Sequence, residues 1–348
     1  MHLKFKLTIA LIIGLITARA QTYNLATLIE TGKNTSIRGL SVVNDDIIWL
    51  SGSNGYIGKS TDGGKTWKWT QPKGYEKCDF RDIEAFDHLK AIAINAGSPA
   101  YILYTIDGGN SWREVYKNTD SDIFLDGMAF WDMQHGIIFG DPIRNRMQLL
   151  RTRDGGLTWQ NISDNLKPDL AMGEAGFAAS GSSIVVKKDG KVWIATGGST
   201  SKIYFSANYG ENWKVYKCPI IQGESSTGVF SMSMLDHRKG LVVGGNYLKD
   251  KENTNNVLIT RNGGRSWKKP KTQVSGYRSG VDYLTDKLCI ATGTSGTDIS
   301  NDGGKNWNKI SDLSFNAVQK AKNGTLVVLA GNKGQVFKLV SVKNDLNK

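Results

Sequence analysis

An eight-residue motif, Ser/Thr-x-Asp/Asn-x-Gly-x-x-Trp, recurs six times in this chain. It occupies Ser60–Trp67, Thr105–Trp112, Thr152–Trp159, Ser206–Trp213, Thr260–Trp267 and Ser300–Trp307, so that its tryptophans lie 45, 47, 54, 54 and 40 residues apart. Self-similarity at such a period marks one supersecondary unit stacked repeatedly, which excludes most single-core folds. The chemistry of the motif is local. Asx-Gly-Gly favours a hairpin turn, because glycine accepts positive φ and the Asx side chain bonds nearby backbone. The Ser or Thr hydroxyl adds a further local bond, and the Trp offers a large apolar body to pack between neighbouring sheets. Asp62 with Trp67, Asp107 with Trp112, Asp154 with Trp159, Asn208 with Trp213, Asn262 with Trp267 and Asp302 with Trp307 are therefore expected to be structural clasps. Each turn offers too few oxygens for calcium.

Between the motifs run short β-rich segments bounded by Gly, Asn, Asp or Pro, such as 37–43, 46–51 and 56–60, and nothing long reads as an amphipathic helix. Four-stranded units of about 40–50 residues indicate an all-β chain folded as a single β-propeller. Six full units end near Ile310. A seventh begins at Phe315 and supplies three strands. The segment Tyr23–Glu30, which precedes the first unit, is expected to provide the missing outer strand and close the ring, giving seven four-stranded blades with protected edges.

Residues 1–20 read as a secretory signal peptide: Lys4 and Lys6, an apolar run over 7–16, then Ala18-Arg19-Ala20 before Gln21. The run is far shorter than the ~20 residues a membrane span requires, and no later run is long enough to span. The mature propeller, 21–348, is expected to be exported, either periplasmic or secreted, and to act as a monomer. The whole chain carries a net charge of +12. The leader holds three cations and no acid, which leaves +9 on the mature protein. For an exported protein with no long Lys/Arg run, nucleic acid is not the expected partner. An acidic glycan, or an envelope or extracellular protein, fits that charge.

The Ser/Thr-x-Asp-x-Gly-x-Thr-Trp repeats resemble the Asp-box, or bacterial neuraminidase repeat, of β-propellers that include sialidases and sortilin-type receptors. Units that open on an Arg-containing inner strand (Ile37-Arg38-Gly39-Leu40, Phe80-Arg81-Asp82-Ile83) and end in Asp-Gly-Gly-x-Thr-Trp are similar to those of the photosystem II stability/assembly factor-like proteins. Segments at Gly140-Asp141-Pro142, Gly173-Glu174-Ala175-Gly176-Phe177 and Gly276-Tyr277-Arg278-Ser279 look like parts of the non-photosynthetic bacterial relatives. The resemblance implies the fold, and a binding or assembly role on an envelope protein.

Aligned inner strands place Arg38, Arg81, Asp82, Asp126, Glu174, Tyr277, Arg278 and Asn316 near one rim of the central channel. Charge on an innermost strand must face water or an opposite charge. Arg38, Arg81 and Arg278 could form a fork-shaped cluster for a carboxylate, or be neutralised by Asp82, Asp126 and Glu174. Asp141, Arg144 and Tyr247, on loops of the same face, complete the expected ligand- or partner-binding set. A sialidase-like exo-glycosidase is the alternative that the family resemblance implies, with Tyr277 and Glu174 as nucleophile pair and Asp82 or Asp126 as acid. The chain departs from that family in having no Arg-Ile-Pro before its first box. His88, His135 and His237 fall near turns of different units, so no shared metal site is expected. No Gly-x-Gly-x-x-Gly lies on a βαβ unit, and no cofactor is expected.

Overall fold

In the computed structural model, which describes residues 22–30 and 33–342, seven antiparallel sheets form the blades of a propeller. Blade 1 comprises Ile37–Val42, Ile48–Gly52, Ile57–Ser60 and Lys68–Thr70, from the channel outward. The innermost strands of blades 2, 3, 4 and 5 are Asp79–Ala85, Leu125–Phe130, Ile184–Lys187 and Thr227–Met234. Those of blades 6 and 7 are Gly280–Tyr283 and Ala317–Lys320. Blade 7 is closed by the strand Thr22–Glu30, which pairs antiparallel with Gln335–Val342 from Thr22↔Val342 to Glu30↔Gln335. The start of the chain thus covers an edge that the last unit would leave bare.

One apolar cluster fills each of the seven blade–blade interfaces. Central strands such as Ile48–Gly52 and Gly240–Asn246 are buried on both faces, which explains their unbroken apolar runs. The clasp tryptophans pack into the interface with the preceding blade: Trp112 against the cluster of Trp49 and Phe80, Trp213 against that of Ile137 and Phe139. In every box the hydroxyl donates to the Asx Oδ1 at 2.8–3.0 Å. It also accepts from a backbone N–H at 2.9–3.0 Å. The Trp indole N–H closes the turn on the Gly carbonyl in five boxes. In the other, Trp112 stands edge-on to Trp49, with ring centroids 6.3 Å apart. A further backbone bond ties each clasp to the turn between the first two strands of its own blade, as in Gly63 N to Asp46 O at 2.9 Å and Gly303 N to Lys287 O at 2.7 Å. The clasps therefore hold one face of the ring, leaving the other face for variable loops.

Two features depart from a plain sevenfold ring. Blade 5 carries two short strands, Glu174–Ala175 and Gly197–Gly198, on its inner edge, while its outer position is reduced to a single pairing, Ile259 with Lys268. The segment 176–182, ahead of the inner strand of blade 4, crosses the channel. The Ser180 hydroxyl donates to Ser279 O at 2.6 Å, Ser182 and Ser231 hydroxyls meet at 2.6 Å, and Met232 N–H donates to Ser182 O at 2.8 Å. Phe177 stacks on Phe230 at 3.8 Å. Two of the tryptophan spacings, at 54 residues, reflect these insertions: this plug, and the loop 247–256 of blade 5.

Candidate functional site: a plugged channel with a cationic, aromatic rim

The inner strands of blades 1, 2, 3 and 5 share an irregularity at equivalent positions. Pairing register shifts between Ile37 and Gly39, Phe80 and Asp82, Leu125 and Gly127, and Val229 and Ser231. The residues left over are Arg38, Arg81, Asp126 and Phe230. A bulge frees one residue from the ladder and re-aims its side chain, and all four of these line one cavity of about 500 Å3 at the channel mouth. The alternation of a regular strand would have sent some of them into the blade interfaces.

The plug divides the channel. The mouth cavity is also lined by Phe124, Asp141, Phe177, Tyr247, Tyr277 and Asn316. A second cavity of about 450 Å3 opens beyond residues 180–182 and is lined by Asp82, Glu84, Lys187, Asp282 and Lys322. Of the expected rim residues, Arg38, Arg81, Asp126, Asp141, Tyr247, Tyr277 and Asn316 come together at the mouth. Asp82 does not. It lies past the bulge, on the wall of the far cavity, and accepts from Ile83 N at 2.8 Å and Met128 N at 2.7 Å. Arg144 is an exposed turn residue at φ 53° and is not part of the cavity wall.

Two further residues sit off the rim because their charges are consumed inside the fold. Arg278 is fully buried. Its guanidinium bonds Asp298, the Tyr277 carbonyl at 2.7 Å, Ser295 Oγ at 2.7 Å and Ser275 Oγ at 2.8 Å. Glu174 is equally buried and bonds Lys202 Nζ at 2.6 Å, Tyr204 Oη at 2.7 Å, Thr196 Oγ1 at 2.7 Å and Ala171 N at 3.1 Å. A buried charge so fully partnered is a structural tie. Inner-strand alignment misplaced both, because the true inner strands of blades 4 and 6 begin only at Ile184 and Gly280.

The cationic part of the rim is Arg38 with Arg81. Arg81 pairs with Asp79 at 2.7 Å and lies over the Phe124 ring at 5.8 Å. Arg38 has no carboxylate within ion-pair distance among the described residues; its Nη1 reaches only the Ala179 carbonyl, at 3.4 Å. Burial, and then the neighbouring Arg81 charge, lower the Arg38 pKa, while Tyr277 and Asp79 pull it in the opposite direction. Beside them stands an aromatic wall. Phe230 meets Tyr277 edge-on at 4.8 Å and Tyr247 at 6.0 Å, while Tyr247 itself is 46% exposed. The sequence signal for Phe230, its register with Arg38 and Arg81, was available but masked by an apolar side chain in an apolar strand.

The acidic part is Asp126 with Asp141. Burial pushes both carboxyls up, and Asp141 pushes Asp126 further. Asp141 accepts from Gly176 N at 2.9 Å. Neither oxygen of Asp126 finds a donor in good geometry, although the Arg81 charge and the Ala178 N–H pull in the stabilising direction. Asn316 has a double role: it faces the mouth, and its Nδ2 closes the ring by donating to Ile37 O at 2.9 Å. No cluster of three or more metal-ligating side chains occurs among the described residues.

The family described as photosynthesis system II assembly factor YCF48 matches residues 19–121. A photosystem II assembly lipoprotein Ycf48 of Synechococcus sp. (strain CC9902) is 23% identical over 250 residues, 63% of this chain and 70% of that protein. Among solved structures, YCF48 bound to D1 peptide superposes with a TM-score of 0.65 at 16% identity, covering 94% of this chain and 97% of the other. YCF48 from Cyanidioschyzon merolae gives 0.65 at 15% identity, with 90% and 98% covered. A xyloglucanase from Xanthomonas campestris gives 0.59 at 14% identity, over 90% of this chain and 53% of that one. At these identities the structural likeness establishes fold. The chain is a seven-bladed Asp-box β-propeller, similar in sequence and in fold to the photosystem II assembly factor YCF48 family.

Proposed function

We propose that this protein is an exported binding and assembly scaffold whose channel mouth takes a segment of an envelope or extracellular protein. The observation that carries the reading is Arg38, a guanidinium with no carboxylate within ion-pair distance among the described residues, set beside Arg81 and facing the Phe230–Tyr277–Tyr247 wall. That pairing suits a peptide that offers a carboxylate to the arginines and an apolar side chain to the rings. The plug floors the mouth, so the segment docks into a vestibule and does not thread the ring. A solved relative is described as bound to a peptide, which supports this class of ligand. Export rests on the leader at residues 1–20, which lies outside the described residues, and on a relative named as a lipoprotein.

The test is crosslinked capture from the native envelope with the mature chain and with a folded Arg38→Ala/Arg81→Ala variant. Arg278 is left intact, because its loss would strand the buried Asp298 carboxylate and destabilise the fold without touching the rim. A protein captured by wild type, released by a peptide of its own sequence and lost in the variant supports the reading. Equal capture by both baits refutes it. The acid pair Asp126 and Asp141 favours a second reading, hydrolysis of an acidic glycan at the same mouth, with a protonated Asp126 as the acid. Release of a fluorogenic sugar that disappears with Asp126→Asn would establish it, and no turnover of any acidic glycoside would remove it.

A further inference from the structure

A second charged surface lies on the outer wall of the ring, away from the channel. In blade 5 the third strand, Val257–Thr260, is covered only by the pair Ile259–Lys268. The chain then turns at Pro270 towards blade 6, where Lys271 N–H donates to Lys305 O at 2.8 Å. Because no full outer strand fills this position, a groove of about 560 Å3 remains between the edge of blade 5 and the clasp of blade 6. Its wall carries Arg261, Lys268, Lys269, Lys271 and Lys305 and no carboxylate.

Some cations of this protein sit in ion pairs. Arg151 and Arg153 share Glu211, Lys202 holds Glu174, and Lys322 holds Glu84. The five groove cations are exposed and have no ion pair among the described residues. The clasp itself suits this charge. Blades 1, 2, 3 and 6 have Asp in the turn, whereas blades 4 and 5 have Asn, and in blade 5 that residue, Asn262, stands on the groove wall. Its Oδ1 still accepts from the Thr260 hydroxyl and the Ser266 N–H, both at 3.0 Å, and its Nδ2 donates to Ser266 Oγ at 2.8 Å. The turn is kept, and the one negative charge that an Asp would have placed in the groove is absent. Five uncompensated like charges in a concave site repel one another and concentrate a polyanion.

We infer that this groove binds an acidic, extended segment of a partner protein, at a site independent of the channel mouth. A trough along a strand edge lets successive carboxylates of an extended chain meet successive Lys and Arg side chains. A bilayer is a poorer match: the only apolar side chains in the wall are Ile259 and Pro270, and neither is a large exposed group that could enter lipid. The charge match is the whole basis of recognition, so affinity falls with salt.

The probe is fluorescein-labelled deca-glutamate, titrated with the mature chain by anisotropy at low salt. Wild type is expected to bind it. Lys268→Glu/Lys269→Glu/Lys271→Glu is expected to weaken binding by about tenfold or more, with an unchanged melting temperature because all three side chains are exposed. A milder Lys268→Ala/Lys271→Ala/Lys305→Ala variant gives an intermediate loss, and each titration is repeated in an Arg38→Ala/Arg81→Ala background, which removes any binding of the probe at the channel mouth. The inference is overturned if deca-glutamate does not bind in the Arg38→Ala/Arg81→Ala background, or if the charge reversal in that background leaves its binding unchanged. It is also overturned if phosphatidylglycerol vesicles bind through these lysines while the peptide does not. The outcome is separate from the rim test, since the two variants share no residue.

Discussion

Removing the carboxylate of Asp298 tests whether Arg278 is a structural tie or a ligand contact. The guanidinium is fully buried and the Asp298 side chain is 2% exposed. Of the five N–H bonds that Arg278 makes, two end on Asp298. Asp298 also fixes Ser275, accepting its N–H at 3.1 Å and its hydroxyl at 2.8 Å. Asp298→Ala therefore strands a buried cation and frees one of its remaining acceptors. Breaking such a pair from one side costs about 3–5 kcal/mol, which lowers the melting temperature by roughly 5–10 °C in a chain of this size. An Arg278→Met/Asp298→Ala double variant, with both charges gone, is expected to regain most of that loss, because it removes the uncompensated charge along with its partner. Urea denaturation with calorimetry reads both numbers. Below its melting temperature, Asp298→Ala should keep the rim affinity of wild type. A loss under about 1 kcal/mol, the scale of an exposed pair, or a stability equally sensitive to molar salt, would refute the buried-tie argument.

Burial raises the Asp82 carboxyl to about 7, against about 3.9 in an unfolded chain. Between those values the folded state holds a proton that the unfolded state has released, so stability falls as pH rises from about 4 to 7, by up to about 1.4 kcal/mol per pH unit. Asp126, Asp141 and Asp282 shift in the same direction, whereas the clasp carboxyls Asp62 and Asp107, at about 2, lose their stabilising effect only below that window. Denaturation midpoints at pH 4.5 and 7.5 should show the decline, with a shallower slope in Asp82→Asn; stability rising across the window would contradict it. Gly181 sits at φ 69°, and a Cβ there would stand 2.4 Å from the Asp82 carboxyl, so Gly181→Ala should destabilise by about 2–4 kcal/mol through strain and overpacking. A neutral result by calorimetry would mean that the plug is loosely seated. Deleting residues 22–30 bares the edge of Gln335–Val342 and should give concentration-dependent self-association in light scattering; a monodisperse monomer would show that the strand is dispensable.

The repeat made the architecture legible in the sequence, because each clasp is built from bonds within eight residues and so needs no tertiary context. The same locality let the seven units, and the strand at 22–30 that completes the last one, be counted from the chain. The rim was partly legible: the register of the repeat aligned Arg38, Arg81 and Asp126, and the bulges that aim them share that register. Where the chain departs from the repeat, the inference failed for a physical reason. Residues 173–183 carry no periodicity, since a plug of small residues is held by channel walls contributed from other blades. Glu174 and Arg278 looked like their aligned counterparts but found Lys202 and Asp298 at 28 and 20 residues' separation. Local bonding determined the blades; which charges were neutralised inside and which were left facing the mouth or the outer groove depended on partners brought together only when the ring closed.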